Sequence, residues 1–249
     1  MRLTVLGCAG SFPSADAACS AYLVEAEGFN LMLDFGSGSL SPLQRYADLR
    51  RIDAILLSHL HPDHMSDACD YVVVRRYAPD GPYPPLPVYG PTGVRERLTA
   101  AYGSPDEGRL DNVYTFHTLA PGTFPIGPFQ ITAERVNHPV ETYGFRIEHG
   151  GRTLAYSADT APCEALVRLA HRADAFLCEA AYLDGEPNPP DIHLTGREAG
   201  EAAAKADAVR LLLTHLVEAW GNPQATYEAA VAAFPGPVDR VRPGDRYEI

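Results

Sequence analysis

The hexapeptide HLHPDH, residues 59–64, places three histidines and one aspartate directly after the apolar run IDAILLS. The apolar run has the length and composition of a buried strand, so the polar residues lie where a strand gives way to a loop. Imidazole nitrogens and carboxylate oxygens suit zinc, manganese or iron better than calcium or magnesium, which prefer oxygen ligands alone. The motif therefore predicts a transition-metal site; taken alone, it could also be a solvated polar turn.

Three further apolar runs end in residues of the same kind. FQITAERVN is followed by His138, TLAYSA by Asp159 and RLLLT by His215. Sites in layered α/β proteins form at the carboxyl ends of strands, where loops bring together residues distant in sequence. With the residues of HLHPDH, these positions offer six or seven ligands, which is too many for one tetrahedral zinc. The pattern predicts two metal ions that share one carboxylate.

The same alternation of elements predicts the fold class. Strand-like runs alternate with helix-like stretches at residues 162–173, 195–206 and 224–234, where apolar positions recur every three or four residues. Thr195 and Glu198 form the signature of a capping box at a helix start. The chain is therefore predicted to be an α/β protein in which helices cover sheets.

The proline-rich segment at residues 78–93 does not change this character. Strand and helix signals resume on both sides of it, so we expect a surface loop within one domain that spans residues 1–249. No apolar run approaches the ~18 residues of a membrane span. The five cysteines are scattered without a C-x-x-C pair, which argues against a disulfide framework and favours the reducing cytoplasm.

The charge balance restricts the choice of partner. The sequence has 32 acidic and 20 basic residues, a net charge of −12. Such a surface repels phosphate backbones unless a basic patch or metal ions reverse the local field. Large nucleic acids are therefore disfavoured as partners but not excluded, because bound metal ions would change this balance.

The metal-type motifs resemble those of the metallo-β-lactamase-fold hydrolases, in the same order and over nearly the whole chain. The resemblance implies a four-layer αββα fold, with two β-sheets sandwiched between helices. It also implies two divalent transition metals, with zinc as the first expectation and manganese or iron as alternatives. Carried over position by position, it assigns one metal to His59, His61, His138 and Asp159 and the other to Asp63, His64, Asp159 and His215.

His193, in DIHLTGREAG, resembles the additional histidine of the RNase Z and phosphodiesterase branch of this family. The resemblance implies that His193 and Asp63 act in catalysis, and that His193 stabilises phosphoryl charge or protonates the leaving oxygen. The alternative is a surface histidine beside a helix. Glu179, in LCEA, is expected to support His193, and Asp34, in LMLDFG, either orients a ligand histidine or caps its strand.

The sequence departs from the resembling branch at two places. Ala158 stands where the family usually has glycine before the shared aspartate, and HPDHMSDACDY replaces the glycine-containing continuation typical of RNase Z. The second departure weakens an RNA-processing interpretation. Arg75 and Arg76 could meet a substrate phosphate or a partner subunit, or could lie on a solvated charged face.

The spacing of the motifs bears on the substrate. RNase Z enzymes carry a tRNA-gripping arm between the positions of His138 and Asp159, which are only 21 residues apart here. The chain most resembles the atypical bacterial cyclic-nucleotide phosphodiesterases, which implies hydrolysis of cyclic AMP to the 5′-monophosphate by a homodimer. The aromatic stretch from Tyr71 to Tyr89 is expected to line the base pocket. The alternatives are a tRNA 3′ endonuclease, a thioester or lactone hydrolase, and a non-catalytic metal-dependent binding protein.

Overall fold

The computed structural model describes residues 1–103, 110–219 and 221–249, and all element assignments refer to these residues. The strands are β1 Arg2–Ala9, β2 Ala18–Cys19, β3 Ala21–Ala26, β4 Phe29–Phe35, β5 Ala54–Leu56, β6 Leu86–Gly90, β7 Tyr114–Thr118, β8 Gly122–Ile126, β9 Phe129–Arg135, β10 Tyr143–His149, β11 Arg152–Tyr156, β12 Ala175–Glu179, β13 Leu211–Thr214, β14 Val238–Arg240 and β15 Arg246–Glu248. The helices are α1 Leu40–Tyr46, α2 Pro62–Met65, α3 Asp67–Tyr77, α4 Val94–Ala101, α5 Glu164–Ala170, α6 Gly196–Lys205 and α7 Pro223–Ala233, with a short 3-10 helix at Leu49–Arg51.

The strands form two mixed sheets. The N-terminal sheet has the order β15-β1-β3-β4-β5-β6-β7, with β2 beside β1, and the C-terminal sheet has the order β14-β13-β12-β11-β10-β9-β8. β4 to β7 run parallel to one another, as do β11 to β14. The carboxyl ends of these parallel strands are where ligand-type side chains follow the apolar runs in the sequence.

Helices cover the outer faces of both sheets. Leu33, Phe145 and Leu177 belong to the core between the sheets, which draws on strands of both. Side chains of α1, α3 and α4 pack on the N-terminal sheet, and side chains of α5, α6 and α7 pack on the C-terminal sheet. The predicted four-layer αββα arrangement is confirmed.

The predicted helices form with small shifts at their ends. The helix predicted at residues 195–206 is α6, and both hydrogen bonds of the capping box between Thr195 and Glu198 are present. The box fixes where α6 begins and therefore where the loop that carries His193 ends. Among the described residues, no helix is both long and apolar enough to cross a membrane.

The proline-rich segment is not wholly a loop, and the prediction was wrong there. Residues Leu86–Gly90 form β6, a strand that pairs with β5 on one side and β7 on the other. Leu86 and Val88 are buried while Pro87 and Tyr89 are half-buried, the alternation of a strand with one face in the core. The strand has only five residues and lies among prolines, so the sequence predicted a loop there.

The expectations for Arg75 and for Tyr71 as a residue of the base pocket also need correction. Arg75 is buried, donates to the carbonyl of Pro84 and lies 5.4 Å from the ring centre of Tyr83. Arg76 hydrogen-bonds to Asn112. Tyr71 is fully buried in the outer core of the N-terminal sheet, so it cannot line a substrate pocket. Arg75 holds the proline-rich segment in place and is not available to a phosphate.

Candidate metal centre

Ligand-type side chains from both sheets meet at one edge of the molecule. His59 follows β5, His138 follows β9, Asp159 follows β11 and His215 directly follows β13. Asp63 and His64 lie in the single turn of α2, where Pro62 at the first helical position fixes the backbone. His61 precedes that turn as its N-cap residue. The structure brings together all seven residues that the resemblance assigns to two metals.

The first cluster consists of His59, His61, His138 and Asp159, whose donor atoms all lie within 4.8 Å of one another. His59 Nε2 is 3.1 Å from His61 Nδ1, which is 3.3 Å from His138 Nε2. Zinc bonds of about 2.1 Å in a tetrahedron separate neighbouring donors by roughly 3.4 Å. These nitrogen separations therefore fit a shared ion.

The second cluster consists of Asp63, His64, Asp159 and His215, again with donors within 4.8 Å of one another. His64 Nε2 is 3.1 Å from Asp159 Oδ1, and His215 Nε2 is 3.2 Å from Asp63 Oδ2 and 3.4 Å from Asp159 Oδ2. Asp159 belongs to both clusters and is 2% exposed. Its position corresponds to a carboxylate that bridges two ions.

Two buried polar atoms test whether metals fit this site. His64 Nε2 and Asp159 Oδ1 are inaccessible to water and lie 3.1 Å apart, an ion pair that depends on a proton on His64 Nε2. Such a buried pair needs a proton or a metal ion between its atoms, because an unpaired polar atom is costly in a protein interior. The donor set of imidazoles and carboxylates matches a transition metal, so the residues fit a pair of divalent ions.

The ionisation states also suit metal binding. Burial lowers the pKa of His59, His61 and His138, so the first cluster presents neutral imidazoles. Burial opposes protonation of His64 too, but the charge of Asp159 and two further carboxylates raises its pKa well above the ordinary value. The proton on His64 supplies one positive charge among those carboxylates. A metal ion at the second cluster has to displace that proton.

A second set of buried residues orients the candidate ligands. Asp34 Oδ2 accepts hydrogen bonds from His64 Nδ1 at 2.7 Å, from the Ser58 hydroxyl at 2.8 Å and from Tyr156 at 2.7 Å. Ser58 Oγ is also 3.0 Å from His59 Nδ1. In His59 and His64, these bonds hold the proton on Nδ1, on the side of the ring away from the clusters. Nε2 is then available to a metal. Asp34 thus contacts a ligand histidine and does not merely cap its strand.

Replacing Asp34 with alanine is expected to weaken the second metal position by about 10- to 100-fold, the usual size of such an outer contact. His64 would lose the acceptor that orients its ring, and buried Ser58 and Tyr156 would lose theirs. Competition with a chelator measures the affinity of each ion. Asp53→Ala is the matched control. Asp53, directly before β5, also accepts a hydrogen bond from a backbone N–H, that of Asn30, but it is exposed. Unchanged affinity of both ions in the Asp34 variant would contradict the assignment.

The backbone is strained where the strands end at the site. Asp34, Ala158 and His215 have φ values of 55°, 53° and 57°, a left-handed conformation that residues other than glycine, asparagine and aspartate rarely adopt. Such strain persists only where the surroundings fix it, and it concentrates at functional sites. The conformation of Ala158 is one that glycine adopts without strain, in agreement with the glycine that the resemblance leads one to expect at this position.

One glycine allows two parts of the site to approach. A Cβ atom on Gly36, just after β4, would overlap the carbonyl oxygen of Asp63. The strand end that carries Asp34 can therefore pack directly against the turn of α2 only because position 36 has no side chain. This contact fixes the distance between Asp34 and His64.

His193 lies beside both clusters. Its ring centre is 5.7 Å from that of His138 and 5.3 Å from that of His215. Nδ1 of His193 is 2.8 Å from Oε1 of Glu179, a residue 1% exposed at the end of β12. Burial lowers the pKa of His193, but the charge and hydrogen bond of Glu179 outweigh burial and raise that pKa to about 9. Without metal ions, this raised pKa favours a protonated Nε2 on His193 at neutral pH.

Sequence reasoning missed several residues that shape the site. Ser58 and Thr160 each stand next to a ligand and hydrogen-bond to an acidic residue of another strand. Asn137 precedes His138 and reaches Asp191 beside His193. The only signal in the sequence is their adjacency to ligand positions. Their partners are far away in the chain and become visible only once the strands are paired.

Comparisons with known proteins agree with this architecture. A family model described as a β-lactamase superfamily domain matches residues 29–216. The uncharacterized protein ML1173 of Mycobacterium leprae is 42% identical to this chain, over 100% of the chain and 89% of its own length. Ribonuclease Z of Mycolicibacterium gilvum is 32% identical over 87% of this chain and 84% of its own length.

A solved structure gives the same result at the level of the fold. The probable metallo-hydrolase YhfI of Bacillus subtilis is 31% identical, with both chains fully covered. Its crystal structure superposes with a TM-score of 0.88 over 99% of this chain and 98% of YhfI. The similarity therefore includes both sheets and every strand end that contributes to the clusters.

Proposed function

This chain belongs to the metallo-β-lactamase family of hydrolases, and we propose that within the family it hydrolyses a small phosphodiester, with 3′,5′-cyclic AMP as the substrate. The metallo-hydrolase fold implies binding of divalent metal. The observation that carries the choice of phosphodiester is the pair of His193 and Glu179, whose hydrogen bond of 2.8 Å leaves Nε2 of His193 free beside the two clusters.

A protonated histidine at this place can supply the proton that the leaving oxygen of a phosphodiester requires. Cleavage of a cyclic nucleotide expels the ribose 3′ oxygen, a poor leaving group that departs more readily when it receives a proton. His193 is buried enough to be held in one orientation, since its side chain is 12% exposed, yet it is open to a substrate. Glu179 fixes the tautomer that places the proton on Nε2.

The roles of the residues follow from their positions. When bound, the two ions neutralise phosphoryl charge and make water a stronger nucleophile. Asp63 Oδ2, 3.2 Å from His215 Nε2, lies at the second cluster, where it can also accept a proton from the attacking water. As the water oxygen bonds to phosphorus, the bond from phosphorus to O3′ breaks. Nε2 of His193 delivers its proton to O3′, and the product is the 5′-monophosphate.

The local structure gives little support to a tRNA substrate. All residues between His138 and Asp159 are described, and they are occupied by the hairpin of β10 and β11 with its tight turn at Gly150 and Gly151. This hairpin leaves no insertion that could form an RNA-gripping arm. A tRNA is held by many phosphate contacts to basic residues, whereas this chain has a net charge of −12. Cleavage of tRNA remains the second candidate, because ribonuclease Z is among the relatives.

The test compares the two substrates on one protein preparation loaded with zinc. We expect cyclic AMP to be hydrolysed to the 5′-monophosphate, with a kcat/KM well above that for a tRNA precursor extended at its 3′ end, at physiological salt. A thioester substrate in the same panel covers the remaining class of this fold. Efficient trimming of the tRNA without turnover of cyclic AMP would favour the second candidate.

We further propose zinc as the metal, with manganese or iron accepted by the same imidazole and carboxylate donors. A single domain over residues 1–249 is supported by the core shared between the two sheets. We also propose a homodimer, which comes from the resemblance alone, and a cytoplasmic location, which rests on the scattered cysteines. Sedimentation of the zinc-loaded protein measures the first of these, and a mass of one chain would contradict it.

A further inference from the structure

The loop that carries His193 is fastened to the segment that carries His138 by two hydrogen bonds. His138 Nδ1 donates to the carbonyl of Ile192 at 2.9 Å, and Asn137 Nδ2 donates to Asp191 Oδ1 at 2.9 Å. The two bonds are adjacent in both segments: residue 137 bonds to residue 191, and residue 138 bonds to residue 192. The candidate ligand His138 and the acid His193 are therefore attached to one another outside the metal clusters.

A separate set of bonds holds His193 from the opposite side. Glu179 Oε1 accepts from His193 Nδ1 and from the backbone N–H of Thr160, each at 2.8 Å. The hydroxyl of Thr160 accepts from the backbone N–H of Asn137 at 3.1 Å. Hydrogen bonds thus connect His193 to Glu179, Glu179 to Thr160, Thr160 to Asn137 and Asn137 to Asp191, and the chain itself connects Asp191 to His193. Thr160 is next to Asp159 and Asn137 is next to His138, so this circuit joins His193 to two segments that carry candidate ligands.

The conformation of Asp191 indicates that this link is specific. Its φ is 59°, and aspartate is one of the few residues that enter the left-handed region with a local hydrogen bond as compensation. The adjacent residues 186–190 include three prolines, which restrict the backbone conformations available to the loop. The side chain of Asn137 is the hydrogen-bond partner of Asp191 in this conformation.

We propose that Asn137 and Asp191 are positioning residues: their hydrogen bond sets the place of His193 relative to the first metal cluster. This inference rests on the proposed function for its catalytic consequence, but not for its structural content. A displacement of about 1 Å in a reacting group costs up to 10²-fold in rate. The Asn137 bond is exposed to water, so we expect its loss to lower kcat by about 10-fold and not by the full 10²-fold.

The leaving group distinguishes positioning from general damage to the site. Hydrolysis of cyclic AMP requires a proton on the departing O3′, whereas the nitrophenolate of bis(4-nitrophenyl) phosphate leaves without one. Asn137→Ala is expected to lower kcat for cyclic AMP by about 10-fold with little change in KM, and to leave turnover of the nitrophenyl ester within about twofold. A residue that merely stabilises the fold would slow both substrates to the same degree.

Two further variants complete the test. Asp191→Asn retains an acceptor for Asn137 and tolerates the left-handed backbone. This variant should therefore keep most of the rate that the natural sequence has for cyclic AMP. Asp184→Ala is the matched control, because Asp184 pairs with Arg197 on the surface of the same loop region at 3.1 Å. Equal losses for both substrates in Asn137→Ala, or no loss for either, would overturn the proposal.

A spectroscopic measurement separates this inference from the proposed function. In the metal-free protein, the imidazole signals of His193 in ¹H–¹⁵N spectra report whether its ring has one orientation. We expect a single sharp set in the natural sequence and broadened or doubled signals in Asn137→Ala, with Asp184→Ala unchanged. If the protein does not hydrolyse cyclic AMP, the proposed function fails, and the spectra still decide the link. Unaltered signals in Asn137→Ala would refute the link itself.

Discussion

Replacement of Asp159 with alanine is expected to remove both metal ions and to lower kcat/KM by at least about 10⁴-fold. Asp159 belongs to both clusters: its Oδ1 lies 3.1 Å from His64 Nε2, and its Oδ2 lies 3.7 Å from His59 Nε2 and 3.4 Å from His215 Nε2. The charge stabilisation supplied by bound metals is worth several kcal/mol, and each ~1.36 kcal/mol is tenfold in rate. Elemental analysis after gel filtration measures the ions per chain, and steady-state kinetics measures the loss.

His138→Ala is the matched variant for this prediction. It removes one donor from the first cluster and leaves all four residues of the second unchanged, so we expect about one ion per chain to remain. Asp159→Ala should therefore fall below His138→Ala in metal content. Two ions per chain in Asp159→Ala would refute the bridging position. A content near one in the natural sequence after supplementation with zinc would refute the dinuclear site.

The positions of the candidate ligands could be predicted from sequence because each follows a local pattern. An apolar run marks a strand, and the polar residue after it lies at the carboxyl edge of a sheet, as His59 and His215 show. The grouping into two sets of four was not contained in those patterns. It came from resemblance to a family, since spacing alone cannot tell which strand ends face one another across two sheets.

The contacts of Asp34 could not be read from the chain in the same way. Asp34 meets Ser58 and His64 because β4 and β5 are parallel neighbours, and strand pairing between distant segments is not encoded in local periodicity. The strand β6 was missed for the opposite reason. Its local signal was present but short, and the prolines around it predicted a loop. Tertiary pairing with β5 and β7 outweighs that local preference.

The chemistry of His193 illustrates a third limit. The sequence marks a histidine just before a capped helix, but its ionisation depends on Glu179, which lies 14 residues earlier on another element. Burial alone would favour a neutral ring. The buried carboxylate reverses that preference, and only the folded structure shows the two side chains in contact.

His193→Ala is expected to retain both metal ions and to lose about 10²- to 10⁴-fold in kcat, the usual contribution of a general acid. His193 is not needed to complete either cluster of four candidate ligands, so metal content should be unchanged. The nitrophenyl ester, which needs no proton on its leaving group, should lose much less. If His193→Ala hydrolyses cyclic AMP at the natural rate, His193 is a surface histidine without a catalytic role. If the variant instead loses an ion, His193 is a metal ligand.

Glu179→Gln tests the protonation state without removing the imidazole. The acid form of His193 is the active one, so kcat falls as the pH rises through the pKa of His193 in the complex. Burial lowers that pKa and the charge of Glu179 raises it, so loss of the charge leaves the lowering effect of burial. The decline in kcat should therefore begin at a lower pH in Glu179→Gln than in the natural sequence. A decline at the same or a higher pH would contradict the assignment of His193 as the proton donor.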